Sequence, residues 1–465
     1  MGLPPIVALA ALIAPPVTTP ETEDSAQAEA ADAAVDSGTE DTSSLENGGD
    51  LVMAAASEPG GEDMIADEPV PSGPPGLVER LGFQISARAG GWSHSRQLDD
   101  REWIPVAGLR ARAAPRIGAF DAFVEGYVQA EGTGPVAADL VDGWVRYTAG
   151  AFELRAGRQA VVWGRADRLN PTDNIAGRDY TLLVANDDDQ RQGPAMVQLR
   201  WGRGNTTLDA FWLPEFRPIV FPLERDRPGI AILPDERRKA SDQFAFKLDS
   251  SGGAFDWSVS WFRGIDRNRD FTLRPPVPGA VASIQQTYPD ISVIGADAAG
   301  IAGPVGWRIE AAYTDVRGPQ SLFVKNDNLW VVGGGDVNFG GGWNVNLQYS
   351  LRVIFDYEDP RRLTNPVVRG VASLSAAVNN QLDRVQNGVT ARLARRFARD
   401  TAEAEIAVIH YVESGDTAIR PRVTWAIRDG LRLVVGADIF AGPDLSAFGR
   451  ARSLSAGWLQ LTVGF

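Results

Sequence analysis

The sequence contains no cysteine, only two histidines, His94 and His410, and three lysines against 42 arginines. Without cysteine there is no disulfide framework, no thiolate metal site and no cysteine nucleophile. Long apolar runs are missing too: nothing approaches the ~20 residues that a membrane-crossing helix needs, which excludes the helical membrane class. Stretches of strong helix formers are scarce, so a large soluble helical protein is excluded as well. No G-x-S-x-G elbow sits between a strand and a helix, and no phosphate loop ends in lysine. The run Asp187 to Asp189 lacks the interval spacing of a calcium loop. These absences predict a non-enzyme with no cofactor and no catalytic or metal site.

The formal charge of −15 is distributed unevenly. Residues 1–79 hold 16 acidic side chains and no basic one, leaving 45 basic against 44 acidic over 80–465. Neither part offers the net basic surface that nucleic-acid phosphates require. Residues 1–17 carry an apolar segment from Ile6 to Ala14 and read as a signal peptide, atypical in having no basic residue before that segment. Residues 18–76 are built from Ala, Glu, Asp, Ser, Gly and Pro and are expected to form a disordered acidic leader. A periplasmic partner or a plug for a pore is the functional reading of that leader, a solvated linker the plain one.

From residue 77 the pattern changes to runs of about ten residues that alternate apolar and polar, the period of a strand with one greasy face. In 343–352, Trp343, Val345, Leu347, Tyr349 and Leu351 share one face and Asn344, Asn346, Gln348, Ser350 and Arg352 the other. About eighteen such segments follow one another, joined by eight short and nine long connections in alternation. That is the plan of an all-β, transmembrane, antiparallel up-and-down β-barrel of 16 to 18 strands, with 18 the best count, spanning 77–465. Hydrocarbon offers no hydrogen bonds to an open sheet edge, so the barrel must close. The last strand, 456–465, alternates Leu459, Leu461, Val463 and a terminal Phe465 on one face, which resembles the assembly signal of bacterial outer-membrane barrels. Trp201, Trp257, Trp261, Trp307, Tyr313, Trp343, Tyr349 and Trp425 share the apolar phase and suit an aromatic girdle rather than the polar outside of a soluble sandwich or propeller.

The other phase then lines the lumen. Near the closure seam it brings Arg110, Arg112, Arg392, Arg420, Arg422 and Arg432, and elsewhere Asp121, Glu125, Asp142 and Arg155, giving segregated basic and acidic walls or, in the plainer reading, charges that pair to fill the interior. A barrel of this size leaves an aqueous channel unless something occupies it. The long connection 162–192 is the candidate occupant. It is dense in charge yet carries Trp163 and Tyr180, aromatics that need cover. Arg158, Trp163, Arg165, Asp167, Asn170, Asp173 and Arg178 are its candidate constriction residues, with a solvated surface loop as the rival reading.

The run GRQAVVWGRADRLNPTDN (157–174), with WLPEFRP (212–218) and FGRARS (448–453) ahead of the terminal strand, resembles an uncharacterised family of proteobacterial outer-membrane β-barrels and is more loosely similar to alginate-export-type porins. The resemblance implies a channel or transport role, with Arg158, Trp163, Gly164, Arg165, Asn170 and Pro171 organising the loop. The expectation is a porin-like channel in the cell outer membrane that passes small polar or charged solutes. Its partners would be outer-membrane lipid, the barrel assembly machinery and, through the acidic leader, a periplasmic protein. An export conduit for a polysaccharide, a structural or assembly barrel, and an outer-membrane hydrolase using His94 and His410 are the alternatives.

Overall fold

The computed structural model describes residues 81–93, 103–221, 226–227, 230–233, 242–280, 282–318 and 321–465. The expectations for 1–17, for 18–76 and for His94 lie outside the described residues.

Eighteen antiparallel strands close into one barrel. They are β1 Gln84–Ser93, β2 Trp103–Ala113, β3 Phe120–Glu131, β4 Ala137–Ala149, β5 Phe152–Arg158 and β6 Ala195–Arg203. Then come β7 Thr206–Leu213, β8 Gln243–Ser250, β9 Asp256–Ile265, β10 Asp290–Ala302, β11 Val305–Arg317 and β12 Asn328–Phe339. The last six are β13 Trp343–Ile354, β14 Val385–Phe397, β15 Ala402–Tyr411, β16 Asp416–Arg428, β17 Leu431–Ala441 and β18 Ala456–Gly464. Each strand pairs with its sequence neighbours, and β18 returns to β1 in a register from Ser86↔Gly464 to Trp92↔Trp458. Backbone bonds between Ile85 and Phe465, 2.8 and 3.2 Å, extend this seam to the last residue. Among the described residues no helix is long and apolar enough to cross a membrane. The strands do the crossing.

Local chemistry fixes the alternation of connections. The tightest turns place Gly150 and Gly204 at φ 59°, a conformation costly for any residue with a Cβ. The long connections gather at the opposite end, and the predicted topology is the observed one. Outward positions form a continuous apolar belt that includes Leu109, Leu199, Ile309, Leu347, Ile406 and Leu459. Aromatics rim it on both sides: Phe120, Phe152, Trp343 and Trp425 near the short turns, Trp103, Trp212, Tyr313 and Phe355 near the long connections. A belt of this kind is unstable against water and stable against hydrocarbon flanked by headgroups.

One helix, α1 Pro366–Val378, lies in the connection after β13. Asn365 caps it by accepting from the Val367 and Val368 amides, and Pro366 fits the first turn, where no intrahelical donor is needed. Its Val371 and Leu374 pack on Phe271 and Ile284 of a small sheet formed by Asp270–Arg274 and Ala282–Thr287 over the long-connection end.

Candidate functional site, the loop-filled lumen

The connection after β5, residues 159–194, folds into the barrel, and the rival picture of a solvated surface loop is set aside. Its first limb lies along β6–β13. Trp163, 4% exposed, and Ile175 pack with Met196, Phe211, Leu213, Phe262, Ile291 and Val293. Those six face inward, so the lumen wall under this limb is apolar, which corrects the expectation of a uniformly wet inner phase. Burying this cluster removes apolar area from water at about 25 cal/mol per Å² and draws the loop inward. Arg165 then pairs with Asp297 and with Asp249 at 3.1 Å, and Asp167 pairs with Arg308 while its backbone amide donates to Gln348 Oε1 at 3.1 Å. Glu310, 0% exposed, accepts from the amides of Arg165, Ala166 and Thr172 and from the Thr172 hydroxyl at 2.7–3.0 Å.

The second limb crosses to the closure seam. Leu182 and Val184 pack on Tyr127 and Val141, and Leu183 and Ala185 on Trp92, Val106, Val434 and Trp458. Glu131 accepts the Leu183 amide at 2.9 Å, and Gln460 accepts the Ala185 amide at 3.1 Å. Asp187 then binds Arg420 through two oxygens, and Asp189 binds Arg110 and, at 2.9 Å, Arg88. Burial pushes the Asp187 carboxyl up, but the Arg420 hydrogen bond and charge, with Arg168 and Arg422 behind it, outweigh this and hold it down at about 2.

The loop leaves open a cavity of about 4390 Å³ that is lined by residues from both ends of the barrel. It is lined by Gly82, Asp400 and Asp429 at the short-turn rim and by Pro218, Leu233, Phe448 and Leu454 at the other end. Arg158, Asp167, Asn170, Asp173 and Arg178 line this cavity, while Trp163 and Arg165 do not and anchor the loop. Arg158 meets Glu215 at 2.7 Å, Asp173 meets Arg191 at 2.8 Å, and Arg178 donates to the Asp187 carbonyl at 3.1 Å. Gly164 and Pro171 lie within the anchored stretch, and a methyl on Gly164 would collide with the Glu310 carboxylate.

The basic wall is where the sequence placed it: Arg110, Arg112, Arg392, Arg420, Arg422 and Arg432 line the cavity, with Glu125, Glu403 and Glu405 interrupting it. The acidic wall is not. Asp249, Asp297 and Glu310 are consumed in tethering the loop. Asp121 pairs with Arg116 and, at 2.7 Å, with Arg146; Asp142 accepts the Ala160 amide at 2.9 Å; Arg155 holds Glu153 at 3.1 Å away from the main path. The reading of two segregated walls is thereby corrected to one basic wall facing a loop with six acidic and four basic side chains. Arg168 at the loop tip reaches within 3.8 Å of Glu405, which Arg392 and Arg422 also hold. Sequence reading missed Arg168 and Asp187 as site residues. The apolar run 182–185 inside so polar a loop was the signal, because such a run needs walls to cover it. His410 points outward and meets the Thr417 hydroxyl at 2.9 Å.

At the long-connection end, Asp270 is buried, 0% exposed, between α1 and the small sheet. Its Oδ1 accepts from Asn379 at 2.7 Å, Lys325 Nζ lies 4.0 Å away, and Oδ2 has no partner among the described residues. Burial pushes its carboxyl up to about 7, against the pull of Lys325. The folded junction thus holds a proton that the opened one releases, so its stability is full below the ordinary carboxylate range, falls from there to about pH 7 and levels off above it. Amide exchange in 266–289 and α1 should accelerate between about pH 4 and 7 beyond the intrinsic base-catalysed rise (roughly tenfold per pH unit) and follow that rise alone at higher pH, and Asp270→Asn should abolish the excess. Equal profiles in parent and variant would remove Asp270 as the cause.

A closed eighteen-strand barrel with a lipid-facing belt and an inward-folded loop defines a transmembrane β-barrel of the outer-membrane type. Solved structures share the architecture. The outer membrane protein opdK from Pseudomonas aeruginosa aligns with TM-score 0.51 at 9% identity, covering 82% of this chain and 97% of that one. OccAB1 of Acinetobacter baumannii aligns at 0.50 and 8%, covering 82% and 95%, and OccK2 (OpdF) of Pseudomonas aeruginosa at 0.50 and 10%, covering 82% and 96%. At such identities the likeness is one of fold, and the looser similarity to alginate-export porins gains nothing from it. No protein-family model and no curated protein matches the chain.

Proposed function

We propose that this protein is an outer-membrane channel that passes small polar or charged solutes, with the loop 159–194 as its constriction. The observation that carries the reading is a cavity lined from one rim to the other, with charged side chains along it and apolar surface turned to lipid. A purely structural barrel has no use for an open lumen. Asp167, Arg168, Asn170, Asp173 and Arg178 form the loop side of the narrow path, and Arg158, Arg392, Arg420 and Arg422 the wall side. Outer-membrane lipid is the partner of the belt, and the barrel assembly machinery that of the terminal strand with Leu459, Leu461, Val463 and Phe465.

The test is conductance of the refolded protein in planar bilayers, with reversal potentials measured in a salt gradient. Arg165→Ala frees Asp297 and Asp249 and loosens the loop, so its openings should be noisier than the parent's, while Arg158→Ala should shift selectivity towards cations by removing a path-lining positive charge. Two variants indistinguishable from the parent would take the loop out of the constriction.

A further inference from the structure

Glu310 makes no ion pair among the described residues, although Arg308 is two positions away on the same strand and face. Arg308 turns instead to Asp167 and Asp336. The Glu310 carboxylate is given wholly to the loop: Oε2 accepts the amides of Arg165 at 2.9 Å and Ala166 at 3.0 Å, and Oε1 accepts the Thr172 amide at 2.7 Å and its hydroxyl at 2.8 Å. Four donors from both ends of the stretch 165–172 converge on one buried anion, a concave arrangement of backbone N–H groups of the kind that binds anions tightly. Between those ends the chain turns out to Arg168 at φ 65°, a conformation disfavoured for arginine, and carries its guanidinium into the path beside Glu405. Gly164 completes the fit, because at φ 94° it passes so close to the carboxylate that any Cβ would strike both oxygens.

We propose that Glu310 is the positioning residue of the channel: it clamps 165–172 into a rigid turn and thereby sets where Arg168 stands in the path. The inference rests on the reading of this loop as the constriction, but the clamp itself can be tested without any current. Because the chain has no cysteine, a single Arg168→Cys substitution carries a nitroxide label on the loop tip of the refolded full chain. In the parent background the label should give one slow component. In Glu310→Gln one amide group must face donors with its own donors, and the ratio of mobile to immobile label should rise about tenfold, the factor that corresponds to losing one charge-assisted hydrogen bond. Glu310→Asp, which keeps the charge, should recover part of the slow component, whereas a residue needed only for bulk would favour the isosteric glutamine. If Glu310→Gln does not refold, Gly164→Ala pushes the loop off an intact Glu310 and should produce the mobile component. An unchanged line shape in whichever of these variants refolds overturns the proposal. Bilayer recordings on the same proteins keep the two readings apart: a parent that never conducts sinks the channel, while the line shape still decides on Glu310.

Discussion

Replacing residues 165–190 with a short Gly–Ser linker should raise single-channel conductance at least about threefold, since an eighteen-strand barrel is wide enough for an aqueous channel and its width is taken up by this loop. Two limbs span the lumen, one on the β6–β13 wall and one on the closure seam, and each is tied by ion pairs as well as apolar contacts. Removing them unblocks the path and also takes Ile175 out of the apolar cluster with Phe211, Leu213, Phe262 and Ile291. The variant should therefore open wide and melt at lower temperature, because apolar area returns to water while the strand ladder stays whole. A deletion variant that inserts and keeps the parent's conductance would place the constriction elsewhere.

The second large effect concerns which face meets lipid. Leu347, 55% exposed, sits midway along β13 and points outward. Leu347→Arg should destabilise the refolded barrel by about 2–4 kcal/mol, the cost of a guanidinium near the bilayer midplane. Thr424 on β16 lines the cavity, and Thr424→Arg should change stability by less than about 0.5 kcal/mol, because the new charge meets water. Denaturant titration in lipid vesicles would separate the two. Equal costs would mean that the faces are assigned wrongly.

Period-two alternation made the barrel legible because nothing else reconciles eighteen greasy-sided strands with alternating short and long connections. The closure seam was legible for the same reason, in the phase of Leu459, Leu461 and Val463. The basic wall followed from phase alone. The inward apolar patch did not, since in β7 both faces end apolar: Leu208, Ala210 and Trp212 face out, while Asp209, Phe211 and Leu213 face in. There alternation carries no sign of which side a loop will cover. The acidic wall was misread because Asp121 is taken up by Arg146 and Asp142 by the Ala160 amide, partners that phase does not reveal. Arg168 was passed over as a site residue because its reach depends on the Glu310 clamp.

The most direct test of the whole account is the current carried by the refolded parent in a planar lipid bilayer. The account predicts discrete, ohmic openings that persist for as long as the protein stays inserted. Folded, inserted protein that passes no current at any voltage would contradict it.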